Sequence, residues 1–110
     1  MPKTIPDTIN GLISEKDFQA AVRELAELMG WTVFCTWSSR HSPGGEPDLR
    51  LVHPIQKRMI WMELKSAKGK LTARQVEAIE TLQAAGEEVY VFRPQDWEQI
   101  EKILSGREGG

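Results

Sequence analysis

Cysteine is almost absent from this chain, because Cys35 is the only one among its 110 residues. One thiol cannot form a disulfide within the chain, which excludes a disulfide-stapled scaffold and favours a reducing compartment such as the cytoplasm. A zinc site is also disfavoured, since Cys35, His41 and His53 show none of the paired spacings that zinc ligands use.

Long apolar runs, internal repeats and low-complexity segments are missing as well. Without an apolar run of about eighteen residues or a charged-then-apolar leader, we expect neither a membrane span nor a secretion signal. The length is typical of one domain with one core. We therefore expect residues 1–110 to form a single domain, with an irregular arm at 1–13 and a flexible tail at 105–110.

A strong excess of either charge is lacking too, since the formal net charge is only −2. The basic residues are nevertheless clustered, because six of the fourteen Lys and Arg fall within 57–74, where Glu63 is the only acid. These six are Lys57, Arg58, Lys65, Lys68, Lys70 and Arg74. Local basic surface beside a carboxylate favours binding to a phosphate backbone, although a solvated lysine-rich loop is the alternative interpretation.

The segment 45–65, GEPDLRLVHPIQKRMIWMELK, predicts two short strands joined by a turn at 53–57. Side chains alternate along a strand, so Met59, Trp61 and Glu63 should share one face of the second strand. Because Met59 and Trp61 favour burial, Glu63 would be a carboxylate in an apolar environment.

Asp48 on the first strand should lie close to Glu63 on the second. Two neighbouring carboxylates repel each other unless a cation lies between them, and carboxylate oxygens suit Mg²⁺ or Mn²⁺. Lys65 is two residues beyond Glu63 and should therefore reach the same site.

The other segments predict helices and strands in the order αβββαβα, an α/β fold with a mixed sheet. Ser14 should cap a helix that Gly30 ends, 31–37 should be a strand, and Thr72 should cap a second helix that Gly86 ends. A strand at 88–93 follows by a crossover of the length that joins parallel strands. Residues expected on buried helix faces are Val76, Ile79 and Leu82 in the second helix and Trp97, Ile100 and Leu104 in the last.

Two polar residues lie near buried helix faces and have two possible roles each. Glu15 either favours the positive end of the first helix or points into the site. Gln75 either serves as the amide of a capping box with Thr72 or joins the site, and we expect these two roles to require different conformers.

The order Pro47-Asp48, variable hairpin, then Glu63-Leu64-Lys65 resembles the PD-(D/E)XK nuclease signature. The flanking segments GGEPDL and ELKSAKGKLTARQ resemble the virus-type replication-repair nuclease (VRR-NUC) family, from near Glu15 to about Phe92. The resemblance implies a restriction-endonuclease-like αβββαβ core, extended here by a C-terminal helix, of the stand-alone phage or bacterial type.

The resemblance also implies a metal-dependent DNA endonuclease acting in phage replication, recombination or repair. Asp48, Glu63 and the backbone carbonyl of Leu64 would hold Mg²⁺ or Mn²⁺, and Lys65 would act on the attacking water or on the phosphate. Glu15 and Gln75 would assist them. Candidate contacts to the nucleic acid are Arg40, Lys68, Lys70 and Arg74.

Family members of this type look similar to archaeal junction resolvases, which implies a homodimer acting on branched DNA such as four-way junctions or flaps. Trp37, Trp97 and the apolar face of the last helix are a candidate dimer surface, although we expect each of them to belong to the core instead. A DNA-structure-binding module with a weakened site is the alternative function. An RNA-directed nuclease is a third possibility, although no aromatic platform for stacking bases is visible in the sequence.

Overall fold

The structure is a computed structural model that describes residues 13–35 and 45–106. Its helices are α1 (Glu15–Leu28), α2 (Ala73–Ala84) and α3 (Trp97–Ser105), and its strands are β1 (Thr32–Cys35), β2 (Leu49–His53), β3 (Arg58–Leu64) and β4 (Glu88–Phe92). A 3-10 turn, Pro94–Asp96, leads into α3. The predicted order αβββαβα is confirmed.

The four strands form one mixed sheet in the order β1-β2-β3-β4. The β1–β2 and β2–β3 pairs are antiparallel, whereas β3 and β4 are parallel. A parallel pair needs a long connection, and α2 supplies it between β3 and β4, as the sequence predicts.

One face of the sheet carries the hydrophobic core. Alternate residues of the central strands, Leu49, Leu51, Ile60, Met62 and Leu64, are fully buried there. Helices α1 and α3 complete the same cluster with side chains that recur at helical spacing: Phe18, Val22, Leu25, Ile100 and Leu104. The central strands are therefore positioned by an apolar face opposite to the one that carries Glu63.

The other face is only partly covered. Helix α2 lies over its β4 side, where Ile79 and Val89 are buried outside the main core cluster. Met59 and Val76 are each 38% exposed, so the expectation that both are buried is wrong. Helix α2 is too short and too far toward β4 to cover the β1–β2 half of this face.

His53 is buried for a structural reason. Its Nδ1 accepts from the backbone N–H of Gln56 (3.1 Å), so its Nε2 carries the proton and donates to the Met29 carbonyl (3.0 Å). Gly30, at φ +95, lets this ring approach, because a Cβ there would lie 2.9 Å from His53 Nε2. His53 thus joins the end of α1 to the central hairpin.

The end of the chain differs from the prediction in one respect. Ser105 is the last residue of α3 and Gly106 its left-handed cap, so the expected tail from 105 begins too early. Residues 107–110 and the arm at 1–12 lie outside the described residues. Within the described residues, no helix is long and apolar enough to cross a membrane.

Candidate active site

The central hairpin places Asp48 beside Glu63. Leu49 pairs with Met62 in the antiparallel register, so the next positions along the two strands are Asp48 and Glu63. Asp48 Oδ2 accepts a hydrogen bond from the backbone N–H of Leu64 (3.0 Å), which orients its carboxylate along the end of β3.

The backbone segment that leads into Asp48 makes a close contact with α2. Gly45 has φ +84, and a Cβ at this position would lie 2.5 Å from the carbonyl oxygen of Arg74. Only glycine fits both the backbone conformation and the contact. The first turn of α2 and the segment before β2 are thereby held together, and Pro47, which follows in this segment, is buried.

Glu63 is the fully buried carboxylate of the site. Its Oε2 accepts from Gln75 Nε2 (3.3 Å) and lies 3.8 Å from Lys65 Nζ, whose side chain is 12% exposed. Its Oε1 is buried without a hydrogen-bond partner among the described residues. A buried carboxylate with one unused oxygen is costly unless another ligand completes its coordination.

The environment of Glu63 favours its protonated form. Burial, together with the charge of Asp48, raises the pKa of Glu63 from 4.5 to about 8; the charge of Glu15 acts in the same direction, and Lys65 opposes it. Burial and the repulsion between neighbouring carboxylates together outweigh one lysine here. A cation that binds the ionised pair would therefore replace the proton on Glu63.

Gln75 links this site to the start of α2. Its side-chain oxygen accepts from the backbone N–H of Thr72 (2.8 Å), completing the predicted capping box, while its Nε2 donates to Glu63. The expectation that the two roles require different conformers is wrong. A side-chain amide has an acceptor and a donor on separate atoms, so one conformer serves both.

Glu15 occupies the first turn of α1, after Ser14, whose side chain caps the helix by accepting from the Asp17 N–H (3.0 Å). The side chain of Glu15 is exposed, yet its charge contributes to the raised pKa of Glu63. Helix α1 thus brings a third carboxylate toward the pair, while also satisfying the preference for acids at a helix N-terminus.

The residues present fit a divalent cation. No group of three or more His, Cys, Asp or Glu side chains lies close enough to form a cage within 13–35 and 45–106. Two carboxylates and the backbone carbonyl of Leu64 nevertheless provide the few hard oxygen ligands that Mg²⁺ takes from proteins, with water or substrate oxygens supplying the rest. The unused Oε1 of Glu63 is a ready ligand among them.

The basic residues divide between two ends of β3. Lys65, Lys68, Lys70 and Arg74 follow Glu63 at the site end, and the last three are exposed. Arg58 lies at the opposite end of β3 and forms an ion pair with Glu88, so counting it as part of a phosphate-binding surface is wrong. Lys57, in the hairpin turn beside it, is equally remote from Glu63 along β3. Arg40 and His41 lie outside the described residues.

An aromatic row on the open face of the sheet was not predicted from the sequence. Phe34, Arg50 and Trp61 are direct neighbours across β1, β2 and β3. Residues 36–44 and the turn between β2 and β3 separate the three residues in the sequence, so only the strand register brings them together. Their alternating pattern within each strand is the one signal that could have found them.

A model of the VRR-NUC domain family matches residues 7–96. The chain belongs to the VRR-NUC family. This agrees with the residues from which the resemblance was inferred, since Asp48, Glu63 and Lys65 all fall within the matched segment. No curated protein matches this VRR-NUC chain.

Two solved structures share the fold of this VRR-NUC domain. A VRR_NUC domain is 24% identical with a TM-score of 0.67, covering 82% of this chain and 92% of that chain. The Archaeoglobus fulgidus protein Hjc, a Holliday junction resolvase from an archaeal hyperthermophile, is 24% identical with a TM-score of 0.52, covering 67% of this chain and 62% of that chain. The fold is restriction-endonuclease-like, as predicted.

Proposed function

We propose that this VRR-NUC domain is a DNA endonuclease that hydrolyses phosphodiester bonds with Mg²⁺ or Mn²⁺. The observation that carries the proposal is Glu63: it is fully buried, has one oxygen without a hydrogen-bond partner within 13–35 and 45–106, and lies beside Asp48 with a pKa raised to about 8. Such a carboxylate pair costs stability in the free protein, and a divalent cation would remove that cost.

Asp48, Glu63 and the carbonyl of Leu64 would hold the cation. When bound, the cation supplies Lewis acidity, which polarises the scissile phosphate and acidifies the attacking water. The ammonium group of Lys65 lies 3.8 Å from Glu63 Oε2, beside the proposed cation site. It either orients the attacking water or offsets negative charge on the phosphate as the water adds.

Two further residues position the carboxylates. Gln75 holds Glu63 Oε2 from the rigid first turn of α2, which limits rotation of the carboxylate and leaves Oε1 available. Glu15 adds negative charge from α1, which strengthens the attraction for a cation. Both residues would tune the pair without forming part of the ligand set.

The proposed substrate is branched DNA, and the proposed working unit is a symmetric homodimer. The structural likeness to a Holliday junction resolvase supports a junction substrate. One site on each of two copies would allow paired cuts on opposite strands. A role in phage replication, recombination or repair in the cytoplasm is part of the same proposal and rests on the family alone.

A cleavage assay tests the proposal directly. The protein is incubated with Mg²⁺, Mn²⁺ or EDTA and with linear, flapped, four-way and single-stranded DNA, with RNA alongside. We expect cutting of DNA that both metals support and EDTA abolishes. Binding without cutting of any substrate would instead identify a DNA-structure-binding module, and preferential cutting of RNA would assign the site to RNA processing.

A further inference from the structure

The aromatic row, Phe34, Arg50 and Trp61, lies on the part of the sheet that α2 leaves open. The guanidinium carbon of Arg50 is 5.0 Å from the centroid of the Phe34 ring and 5.8 Å from that of Trp61. Phe34 is 45% exposed, Arg50 is exposed and Trp61 is half-buried. Two rings with a cation between them therefore face solvent.

The aromatic row adjoins the proposed active site. Arg50 is two residues from Asp48, and Trp61 is two residues from Glu63, so all four share one face of the β2–β3 hairpin. Two residues along a strand correspond to roughly 7 Å. A single nucleotide of an extended strand spans such a distance, so a strand whose phosphate lies at Glu63 would bring its neighbouring base to Trp61.

The composition of the row favours an unpaired strand as its occupant. Aromatic faces bind the exposed faces of unpaired bases, which in a duplex are covered by the neighbouring bases, and the cation of Arg50 attracts the phosphates. The fold does not need these side chains for its core, because the core lies on the opposite face of the sheet. Continuity with Asp48 and Glu63 points to nucleic acid in preference to a second protein.

A groove extends the row toward α2. It has a volume of about 610 Å³ and begins at Pro47, which directly precedes Asp48; Trp61, Ala78 and Leu82 provide apolar lining. The charged lining consists of two carboxylates, Glu46 and Glu77, and one cation, Arg74, so the net charge of the groove is negative and disfavours phosphate. A base therefore fits the groove better than a phosphate does, and the strand's backbone would follow the side of Arg50.

We propose that the aromatic row and the adjoining groove bind an unpaired nucleotide next to the scissile phosphate, with its base stacked on Trp61. This inference rests on the proposed function and deepens it, because it names the substrate class as DNA in which unpaired nucleotides adjoin a duplex. Trp61 is a binding residue in this assignment, and Phe34 and Arg50 complete its surface.

Fluorescence of an adenine analogue, whose emission is quenched by stacking, tests the assignment. The analogue is placed at each unpaired position of a flapped duplex, and binding is followed in EDTA or Ca²⁺, with a blunt duplex as reference. We expect quenching at one or two positions near the branch. Trp61→Leu should abolish it and weaken flap binding by about 5- to 150-fold with duplex binding little changed, whereas Trp61→Phe should retain most of both.

Met59→Ala is the matched control, because Met59 is exposed on the same face of β3, two residues beyond Trp61 on the side away from Glu63. It should behave as the wild type. If thermal unfolding shows that Trp61→Leu does not fold, Phe34→Leu replaces it in the test, with a smaller expected loss of flap-binding affinity. Equal losses for flap and duplex in these variants, or quenching that persists without the ring, would overturn the assignment.

A second copy of the chain is the competing occupant. Light scattering on Trp61→Leu distinguishes it, since conversion of a wild-type dimer to a monomer would make the row an interface between copies and refute the inference. Metal-dependent cleavage of four-way DNA by the wild type, measured in parallel, separates the two proposals. If the wild type cleaves DNA but Trp61→Leu does not weaken flap binding specifically, only the inference is contradicted. If flap-specific quenching is seen but no substrate is cleaved, only the proposed nuclease activity is contradicted.

Discussion

At the scale of single residues, the incomplete hydrogen bonding of the buried Glu63 carboxylate governs the site. Its carboxylate is fully buried and accepts one hydrogen bond at Oε2 from Gln75, while Oε1 has no partner among the described residues. A neutral carboxyl would relieve the repulsion from Asp48, but only a cation relieves it while keeping both groups ionised. Metal binding and protonation should therefore compete at this residue.

We predict that Glu63→Gln and Asp48→Ala lower the cleavage rate by roughly a hundred-fold or more, because each removes an oxygen ligand of the cation. The metal-free proteins should unfold at the same temperature as wild type or higher, since each substitution ends the repulsion between the two carboxylates. Cleavage rates and thermal midpoints with and without Mg²⁺ measure both effects.

Glu80→Gln is the control for this comparison, because it removes an exposed carboxylate of α2 outside the site. It should cleave normally and keep the rise in thermal midpoint that Mg²⁺ produces in the wild type. Near-normal cleavage by Glu63→Gln would remove Glu63 from the proposed metal site.

We predict that the metal-free protein loses stability as the pH rises from about 4.5 to about 8. The folded-state pKa of Glu63 is raised, from 4.5 to about 8, so the folded chain retains a proton that the unfolded chain releases in this range. The free energy of unfolding should therefore fall by about 1.4 kcal/mol per pH unit there and level off outside it.

The charges that set this range face Glu63 from three elements: Asp48 before β2, Lys65 after β3 and Glu15 on α1. Urea unfolding at several pH values measures the slope, and Glu63→Gln should remove it. With saturating Mg²⁺ the trend should reverse, because the cation binds the ionised carboxylates. A metal-free protein whose stability rises through this pH range would contradict the buried, protonated Glu63.

At the scale of elements, the first turn of α2 connects helix formation with the site. We predict that Thr72→Ala and Gln75→Ala each destabilise the protein by about 1 kcal/mol, because each breaks one half of the capping box. Only Gln75→Ala should also lower the cleavage rate, by roughly ten- to a hundred-fold, because it alone frees Glu63. Equal cleavage rates in the two variants would mean that Gln75 acts only as a capping residue.

The loop between β3 and α2 is the second element with a testable role. Arg93 and Gln95 donate to the carbonyls of Gly69 and Ala67, which hold this basic loop against the start of α3. The lysines of the loop are exposed, so their charges are accessible to a phosphate backbone.

We predict that replacing Lys68, Lys70 and Arg74 together with glutamine weakens DNA binding similarly for all sequences. The slope of log affinity against log salt should decrease by up to about three, because fewer counterions are released. Lys57→Gln with Lys102→Gln is the control, since both lysines lie away from the site, and it should leave the slope nearly unchanged. An unchanged slope in the triple variant would mean that the loop does not contact the phosphates.

At the scale of the whole molecule, the proposed dimer needs a surface other than the predicted one. Trp97 is 4% exposed, and Ile100 and Leu104 are fully buried, so the apolar face of α3 already belongs to the core. The expectation that Trp97 and this face belong to the core is confirmed, so they do not supply the dimer surface, and Trp37 lies outside the described residues. The apolar side chains that the structure leaves exposed include Leu28, Phe34, Ile55, Met59 and Val76.

We predict that the protein is a dimer at micromolar concentration and cuts four-way DNA by paired nicks on opposite strands. Two-fold symmetry is the commonest arrangement of identical chains, and it matches the approximate symmetry of a junction. Light scattering and strand-specific labels measure mass and nick positions, with a linear duplex of the same sequence as control. A monomer, or equal rates on the junction and the duplex, would contradict the dimer.

The sequence by itself determined the local elements and the residues of the hairpin. Capping residues, glycines at helix ends and periods of two or about 3.6 residues depend on neighbours along the chain, so the order αβββαβα and the buried faces of α1 and α3 were predictable. The proximity of Asp48 and Glu63 follows from one short hairpin, which alternation and turn position specify.

Only the tertiary structure decided which faces are covered. Met59 and Val76 are exposed because α2 packs toward β4. Neither the strand period around Met59 nor the helix period around Val76 reveals this packing. The double role of Gln75 and the aromatic row of Phe34, Arg50 and Trp61 arise where separate elements meet. Such contacts depend on strand register and helix position in three dimensions, and local propensity does not encode either of them.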